Sequence, residues 1–598
     1  MPIEDYALIG DCRTAALVGA DGSIDWLCLP RFDSPACFNR LLGEAEHGRW
    51  LIAPTTPGHR VRRSYRKDTL VLDTVFDGEG GSCRITDFMV VGAAGATVVR
   101  LVTGLRGRVD LRLELVVRFD YGHIIPWVSR SDHELMAVAG PDALVLRTPV
   151  ALRGESLRTV AEFCVEQGEE IPFVLTHGPS HLEPPPPVAA ASALTDTEKF
   201  WRGWATQCNY TGPWREAVVR SLIVLKALIY EPTGGIIAAP TTSLPEKAGG
   251  ERNWDYRYCW LRDATFVLLT LMQAGYRAEA EAWRSWLVRA VAGHPSQVQP
   301  LYGVSGIHRI DELVLPWLPG YGGAKPVRIG NSAYAQLQLD TFGEVLDAMH
   351  HARRIELGPS EASWALQKAL LGHLESLLDA PDRGIWEMRG PEQHFTHSKV
   401  MMWVAFDRAV SAVRDFGLDG PAERWRGIRD ALHAEVCARA FDPDLGAFVQ
   451  SYGSRQLDAA TLLMPIVGFL PPGDPRIVGT VDAIGRRLLR NGFVHRYDTA
   501  RTDDGLPPGE GVFLACTFWF IDNLVLQERY DEGRAMFERL LDIRNDVGLL
   551  AEEYDAEAGC FLGNFPQALS HLALVGTAYN LQQPRGPARE RTKHQRNE

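Results

Sequence analysis

The chain has 598 residues, 46% of them apolar and 23% charged, with a formal net charge of −13. These proportions describe a globular protein of more than one domain with a large core. The acidic balance, with no Lys/Arg run ahead of the C-terminal tail, argues against nucleic acid and leaves a neutral or small molecule as the expected partner. No apolar stretch reaches the length of a membrane span, so no membrane partner is expected. The opening MPIEDYALIGDCRT lacks a basic stretch followed by an apolar run, so no secretory signal is expected. The ten cysteines contain no C-x-x-C pair and read as reduced thiols of a cytoplasmic protein.

Residues 1–183 read as β-structure. In Val109–Phe119, Leu111, Leu113, Leu115 and Val117 alternate with Arg112, Glu114, Val116 and Arg118, the two-residue period of a half-buried strand. Similar runs lie at 70–76, 83–91, 97–105, 143–152 and 159–167, separated by turns such as GEGG (78–81) and AGPD (139–142). Many short strands with turn punctuation predict an antiparallel β-sandwich. Pro184–Pro187 stop both sheet and helix and predict a stiff spacer, followed by a linker helix over 195–207 within a linker of residues 184–212.

From Trp214 the period becomes helical. Val218, Leu222, Leu225 and Ile229 share one face, as do Tyr334, Leu337, Thr341 and Val345. Twelve helices are predicted, near 214–230, 261–275, 277–292, 331–352, 360–379, 397–415, 420–440, 455–465, 475–490, 512–528, 530–543 and 566–581. Paired as hairpins, they predict an (α/α)6 toroid over residues 213–582, with long loops at one end to form a site. The alternative, an open solenoid, lacks a visible sequence repeat. The tail, 583–598, has no large apolar residue and is predicted disordered.

Three clusters carry candidate chemistry. RNWDYRYCWLRDAT (252–265) sets Trp254, Tyr256, Tyr258 and Trp260 around Arg262 and Asp263; aromatic faces with bidentate charged groups suit a sugar, although an aromatic core segment with an N-cap Asp fits equally. In DRGIWEMRG (382–390), Trp386 stands beside Glu387, and an indole that desolvates a carboxyl raises its pKa towards that of a general acid. In GLLAEEYDAEAG (548–559), Glu552 and Glu553 are adjacent, so an extended backbone turns one of them to a site; the bland reading is a solvated acidic loop. No metal-binding motif occurs, the spacing of His394 and His397 suits solvation or capping better than a metal, and YGGAKPVRIGN lacks the pattern of a phosphate loop. No metal and no cofactor are therefore expected.

Taken together, IEDYALIGDCRTAALVGADGSIDWLCLPRFDSP, GGIIAAPTTSLPE, DYRYCWLRDAT, GIWEMRG and AEEYD…GNFPQALSHLAL resemble glycoside hydrolase family 15, the glucoamylase and bacterial–archaeal trehalase family, over nearly the whole chain. The opening segment resembles the trehalase-like N-terminal domain of its prokaryotic members. The resemblance implies an inverting, exo-acting α-glucosidase with Glu387 as general acid and Glu552 as general base. It implies Arg262 and Asp263 as the clamp on the terminal glucose, Tyr256, Trp260 and Trp386 as pocket aromatics, and Arg496 and Tyr497 near the leaving sugar. Fungal glucoamylases carry a second carboxylate after the acid, where Met388 stands here. The expected substrate is a small α-glucoside: trehalose first, maltooligosaccharides as the alternative. A glucoside phosphorylase or a non-catalytic carbohydrate-binding protein would not need Glu552 in its motif. Assembly into a homo-oligomer stays open.

Overall fold

The computed structural model of the protein describes residues 1–131, 134–357, 361–582, 586 and 588–589. The expected disordered tail lies outside the described residues except for Gly586, Ala588 and Arg589.

The first 180 residues form an antiparallel β-rich unit whose spine is one 20-residue strand, Thr97–Val116. Its first half pairs with Gly81–Met89 and Glu170–Pro179, its second with Arg49–Pro54 and Arg158–Glu166. The sequence predicts two strands here, 97–105 and 109–119. They are continuous because Gly107 (φ 61°) turns the backbone through a left-handed conformation without leaving the ladder, and a Cβ there would lie 2.4 Å from the Gly80 carbonyl oxygen. Beyond the bend, buried Val109, Leu111 and Leu113 alternate with exposed Asp110 and Arg112 as expected. Before it both faces are covered, and Arg100 is buried on a bidentate pair with Asp87 (2.8 and 3.3 Å).

The helix predicted over 195–207 is α1 (Ala190–Ala205), which begins five residues earlier than predicted. Then follow α2 (Arg215–Ala227), α3 (Ala264–Ala274), α4 (Arg277–Ala290), α5 (Asp340–Arg354), α6 (Glu361–Glu375), α7 (Thr396–Phe416), α8 (Ala422–Arg439), α9 (Leu463–Ile466), α10 (Pro475–Arg487), α11 (Leu514–Leu526), α12 (Tyr530–Asp542) and α13 (Ala568–Gln582). Each of the twelve predicted helices has a counterpart, and two differ from their predicted bounds by more than four residues at one end. The segment predicted to start a helix at 331 makes only a short 3-10 turn, Ser332–Ala335, capped by the Asn331 side chain, and α5 starts at Asp340. The helix predicted at 455–465 starts at Ala459 as a 3-10 turn, because the Asp458 carboxylate caps the Ala460 N–H there.

Two kinds of helix alternate. All thirteen residues of α11 are buried, and α5, α7 and α13 are nearly as enclosed. By contrast α8 buries only Trp425, Leu432 and Val436, and α12 only Gly533, Phe537 and Leu540, the single apolar stripe of a surface helix. The enclosed helices follow one another in contact, α3 to α5, α7, α9, α11 and α13, and α13 returns to α3. Among the described residues, no helix is long and apolar enough to cross a membrane.

Candidate active site

The pocket is lined by segments that lead into the N-termini of the enclosed helices: 246–262 before α3, 331–336 before α5, 386–389 before α7 and 496–513 before α11. With its open mouth included, the space is about 610 Å³, the size usual for small-molecule sites.

Glu387 sits in a tight turn in which its N–H donates to the Gly384 carbonyl (3.1 Å), and its φ of 58° is left-handed, a conformation a non-glycine residue holds only where the surroundings enforce it. The Trp260 indole Nε1–H donates to its Oε1 at 2.5 Å, and an Arg262 guanidinium nitrogen lies 4.0 Å from the same oxygen. Burial raises the Glu387 pKa above the usual carboxylate range, against the opposing pull of Arg262 and the Trp260 donor. The expected indole at this carboxyl was that of Trp386. Trp386 does line the pocket, but its Nε1–H donates to Asp458 (2.8 Å) and its ring packs against Phe513 and Trp519. Neighbours in a turn diverge, so the contact falls to a residue 127 positions away.

Arg262 donates through Nε to Asp263 (3.0 Å) and through NH1 to the Ile385 carbonyl (3.2 Å), which ties the segment before α3 to the turn that carries Glu387. Asp263 occupies the N-cap position of α3, yet its side chain makes no cap; the carboxylate is held by Arg262.

Glu552 and Glu553 are both fully buried, which disposes of the solvated-loop reading. The backbone N–H of Asn564 donates to Glu552 Oε2 (3.1 Å), and Gly563 (φ 70°) lets it approach: a Cβ there would lie 2.5 Å from that oxygen. Oε1 has no hydrogen-bond partner among the described residues. Burial and the charge of Glu246 push the Glu552 pKa up to about 8, while the Tyr256 hydroxyl and Arg496 pull it down. The Tyr256 ring meets the Trp260 ring edge-on, with centroids 5.1 Å apart. One aromatic wall therefore spans the two glutamates: Trp260 holds Glu387 and Tyr256 faces Glu552.

Arg496 is the hub of a buried charged group, donating to Glu510 (3.0 and 2.6 Å) and Glu246 (2.8 Å) and lying 3.3 Å from Glu553. Oxygens of these three glutamates approach within 4.8 Å of one another as metal ligands would, but the guanidinium fills the place a cation would take. Tyr497 is buried and donates to Asp504 (2.8 Å), which also receives Arg252 (2.6 Å). Sequence reasoning assigned no role to Glu246, Arg252, Arg389, Asp504 or Phe513, all of which line the pocket. In the sequence, Glu246 is legible only within the family signature SLPE, and the acidic, glycine-rich TDDGLPPGEG is the signal that points to Asp504 and Glu510. All ten cysteines are unpaired, and seven of them are buried.

The profile of "Trehalase-like, N-terminal" matches residues 1–201, and that of "Glycosyl hydrolases family 15" matches residues 212–579. The chain is 36% identical to the protein named "Trehalase" of Thermoplasma volcanium over 587 residues, covering 97% of this chain and 94% of that protein. It is 37% identical to "Trehalase" of Mycobacterium tuberculosis over 612 residues, covering 97% and 89%. In three dimensions it is similar to a bacterial glucoamylase solved with acarbose, with a TM-score of 0.73 at 13% identity, covering 97% of this chain and 94% of that one. The β-rich N-terminal unit and helical C-terminal unit thus form a glucoamylase-like fold, and the chain belongs to glycosyl hydrolases family 15.

Proposed function

We propose that this glycoside hydrolase is an α,α-trehalase acting by single displacement. Glu387 gives its proton to the glycosidic oxygen while Glu552 takes one from the water that attacks the anomeric carbon from the opposite face. One bond to carbon breaks as the other forms, and two glucose molecules leave. The observation that carries this reading is the wall Tyr256–Trp260, which has the half-buried Glu387 carboxyl at one end and the fully buried Glu552 carboxyl at the other. Burial raises the pKa of both carboxyls, so the two roles are read from position: Glu387 is held on Trp260, and the unpartnered Oε1 of Glu552, once ionised, leaves a lone pair for a water. Arg262 and Asp263 would clamp hydroxyls of the bound glucose, and Arg496 and Tyr497 would border the leaving sugar. Trehalose is favoured over maltooligosaccharides by the near full-length likeness, in both units, to proteins named trehalase.

The same proposal reads the β-rich unit (1–183) as a sandwich, residues 184–212 as the linker, and the helices (213–582) as an (α/α)6 toroid. The closed succession from α3 through α13 back to α3 supports the toroid. Ten unpaired cysteines suit a reducing, cytoplasmic setting. The test is glucose release from trehalose, maltose, isomaltose and soluble starch, with and without phosphate. Trehalose should be cleaved fastest and without phosphate. Faster release from maltose or starch would make the enzyme a glucoamylase, and glucose phosphate formation would make it a phosphorylase.

A further inference from the structure

Tyr256 is flanked by two fully buried charged residues, Asp255 and Arg257. On extended backbone, side chains at i and i+2 share a face and the one between them takes the other. Asp255 and Arg257 accordingly turn away from the pocket that Tyr256 lines. Arg257 grips Asp255 with both arms of its fork (Nε–Oδ1 2.9 Å, NH2–Oδ2 2.6 Å) and donates its remaining nitrogen, NH1, to the Ser34 carbonyl of the β-rich unit (2.8 Å). Its guanidinium also lies over the rings of Trp26 and Tyr121, 5.9 and 5.3 Å from their centroids. Asp255 accepts in addition from the Gly330 N–H (3.1 Å), in the segment that leads to α5. Beside this contact, the Trp26 indole N–H donates to the Pro240 carbonyl (2.7 Å), and the next residue, Thr241, accepts from the Tyr256 N–H (3.4 Å).

We propose that Arg257, locked to Asp255 and anchored on the β-rich unit, is a positioning residue that holds Tyr256 between Glu552 and Trp260. The N-terminal unit then sets the geometry of the glutamate pair without touching substrate. A planar fork fixes both the distance and the orientation of its partner, which an ammonium cannot do. Because Tyr256 has its neighbours pinned on both sides, its ring has little freedom to drift from the wall.

This inference rests on the proposed roles of Glu387 and Glu552, so trehalose hydrolysis by the unaltered protein and its loss in Glu387→Gln are measured alongside. If those fail, the reading of the site falls. If they hold, the clamp is judged on its own through Arg257→Lys and Asp255→Asn, each checked by thermal melting. Either variant should fold and lose about 10- to 100-fold in kcat/KM, the scale of an ångström-sized misplacement. The acidic limb of its pH profile should also move upwards, as in Tyr256→Phe, because Glu552 loses the nearby Tyr256 hydroxyl that favours its ionised form. In a Tyr256→Phe background the same change should cost less than about twofold more, since two residues acting through one contact are not additive. Unchanged kcat/KM, an unmoved limb or fully additive losses would overturn the proposal, as would failure of both variants to fold, which would make the pair a folding element only.

Discussion

Replacing Trp260 by Phe removes one hydrogen bond from the general acid while leaving an aromatic ring in the wall. In the structure the indole N–H donates to Glu387 Oε1 at 2.5 Å. A hydrogen bond to a charged acceptor contributes about 1.5–3 kcal/mol, and one pKa unit corresponds to about 1.36 kcal/mol. The bond favours the carboxylate, so its loss raises the Glu387 pKa further above the usual carboxylate range. The sign follows from the role. An acid must be protonated to act, so kcat/KM falls as pH rises through its pKa, and a raised pKa moves that basic limb to higher pH. The rate at the optimum drops as well, because Phe packs less well against Tyr256, but the position of the limb is independent of that loss. The assay is kcat/KM for trehalose across pH for both proteins, with melting curves to confirm folding. A basic limb that stays in place, or moves to lower pH, would refute the pairing of Trp260 with the acid.

Glu387→Gln should lower trehalose turnover by about 10²- to 10⁴-fold with an unchanged melting temperature, because the amide keeps the shape and an acceptor for Trp260 but has no acidic proton to transfer. Glu246→Gln should move the acidic limb of kcat/KM to lower pH: it removes a negative charge beside Glu552 and frees part of Arg496, and both changes favour ionised Glu552. Proton NMR in the first moments of trehalose hydrolysis should show α- and β-glucose appearing in equal amounts, since one unit is inverted and the other is not; α-glucose alone would remove Glu552 from the role of base. Arg100→Met should destabilise the β-rich unit by about 3–5 kcal/mol in guanidinium unfolding, because Asp87 is left as a buried, unpaired carboxylate; an unchanged midpoint would show that the pair contributes nothing.

Much of the architecture was legible in contiguous residues. The two-residue period of Val109–Leu113 and the three- and four-residue steps of α2 depend only on which face of an element meets the core, and neighbouring residues record that directly. The boundaries that went astray were set by single backbone or side-chain events: Gly107 carrying a strand through a bend, and Asn331 capping a turn that delays α5. The stops at Pro184–Pro187 and the aromatic crowding of 252–265 were equally local. So was the tandem Glu552–Glu553, though its burial was not, since a short acidic run looks the same in a solvated loop and in a core.

What tertiary structure alone decided is which groups face one another. Trp386 is adjacent to Glu387 in sequence, yet the indole on that carboxyl comes from Trp260. Arg496 gathers Glu246, Glu510 and Glu553 from three separate segments. Asp255 and Arg257 read as ordinary charges until the Ser34 carbonyl is seen above them. The sequence by itself determined the elements, their order and the carboxyls available for chemistry, because those follow from local periodicity and residue type. The pairings, and with them the direction of each pKa shift, depend on distances of a few ångströms between segments far apart in sequence, and these exist only once the loops before α3, α5, α7 and α11 are brought together at one pocket.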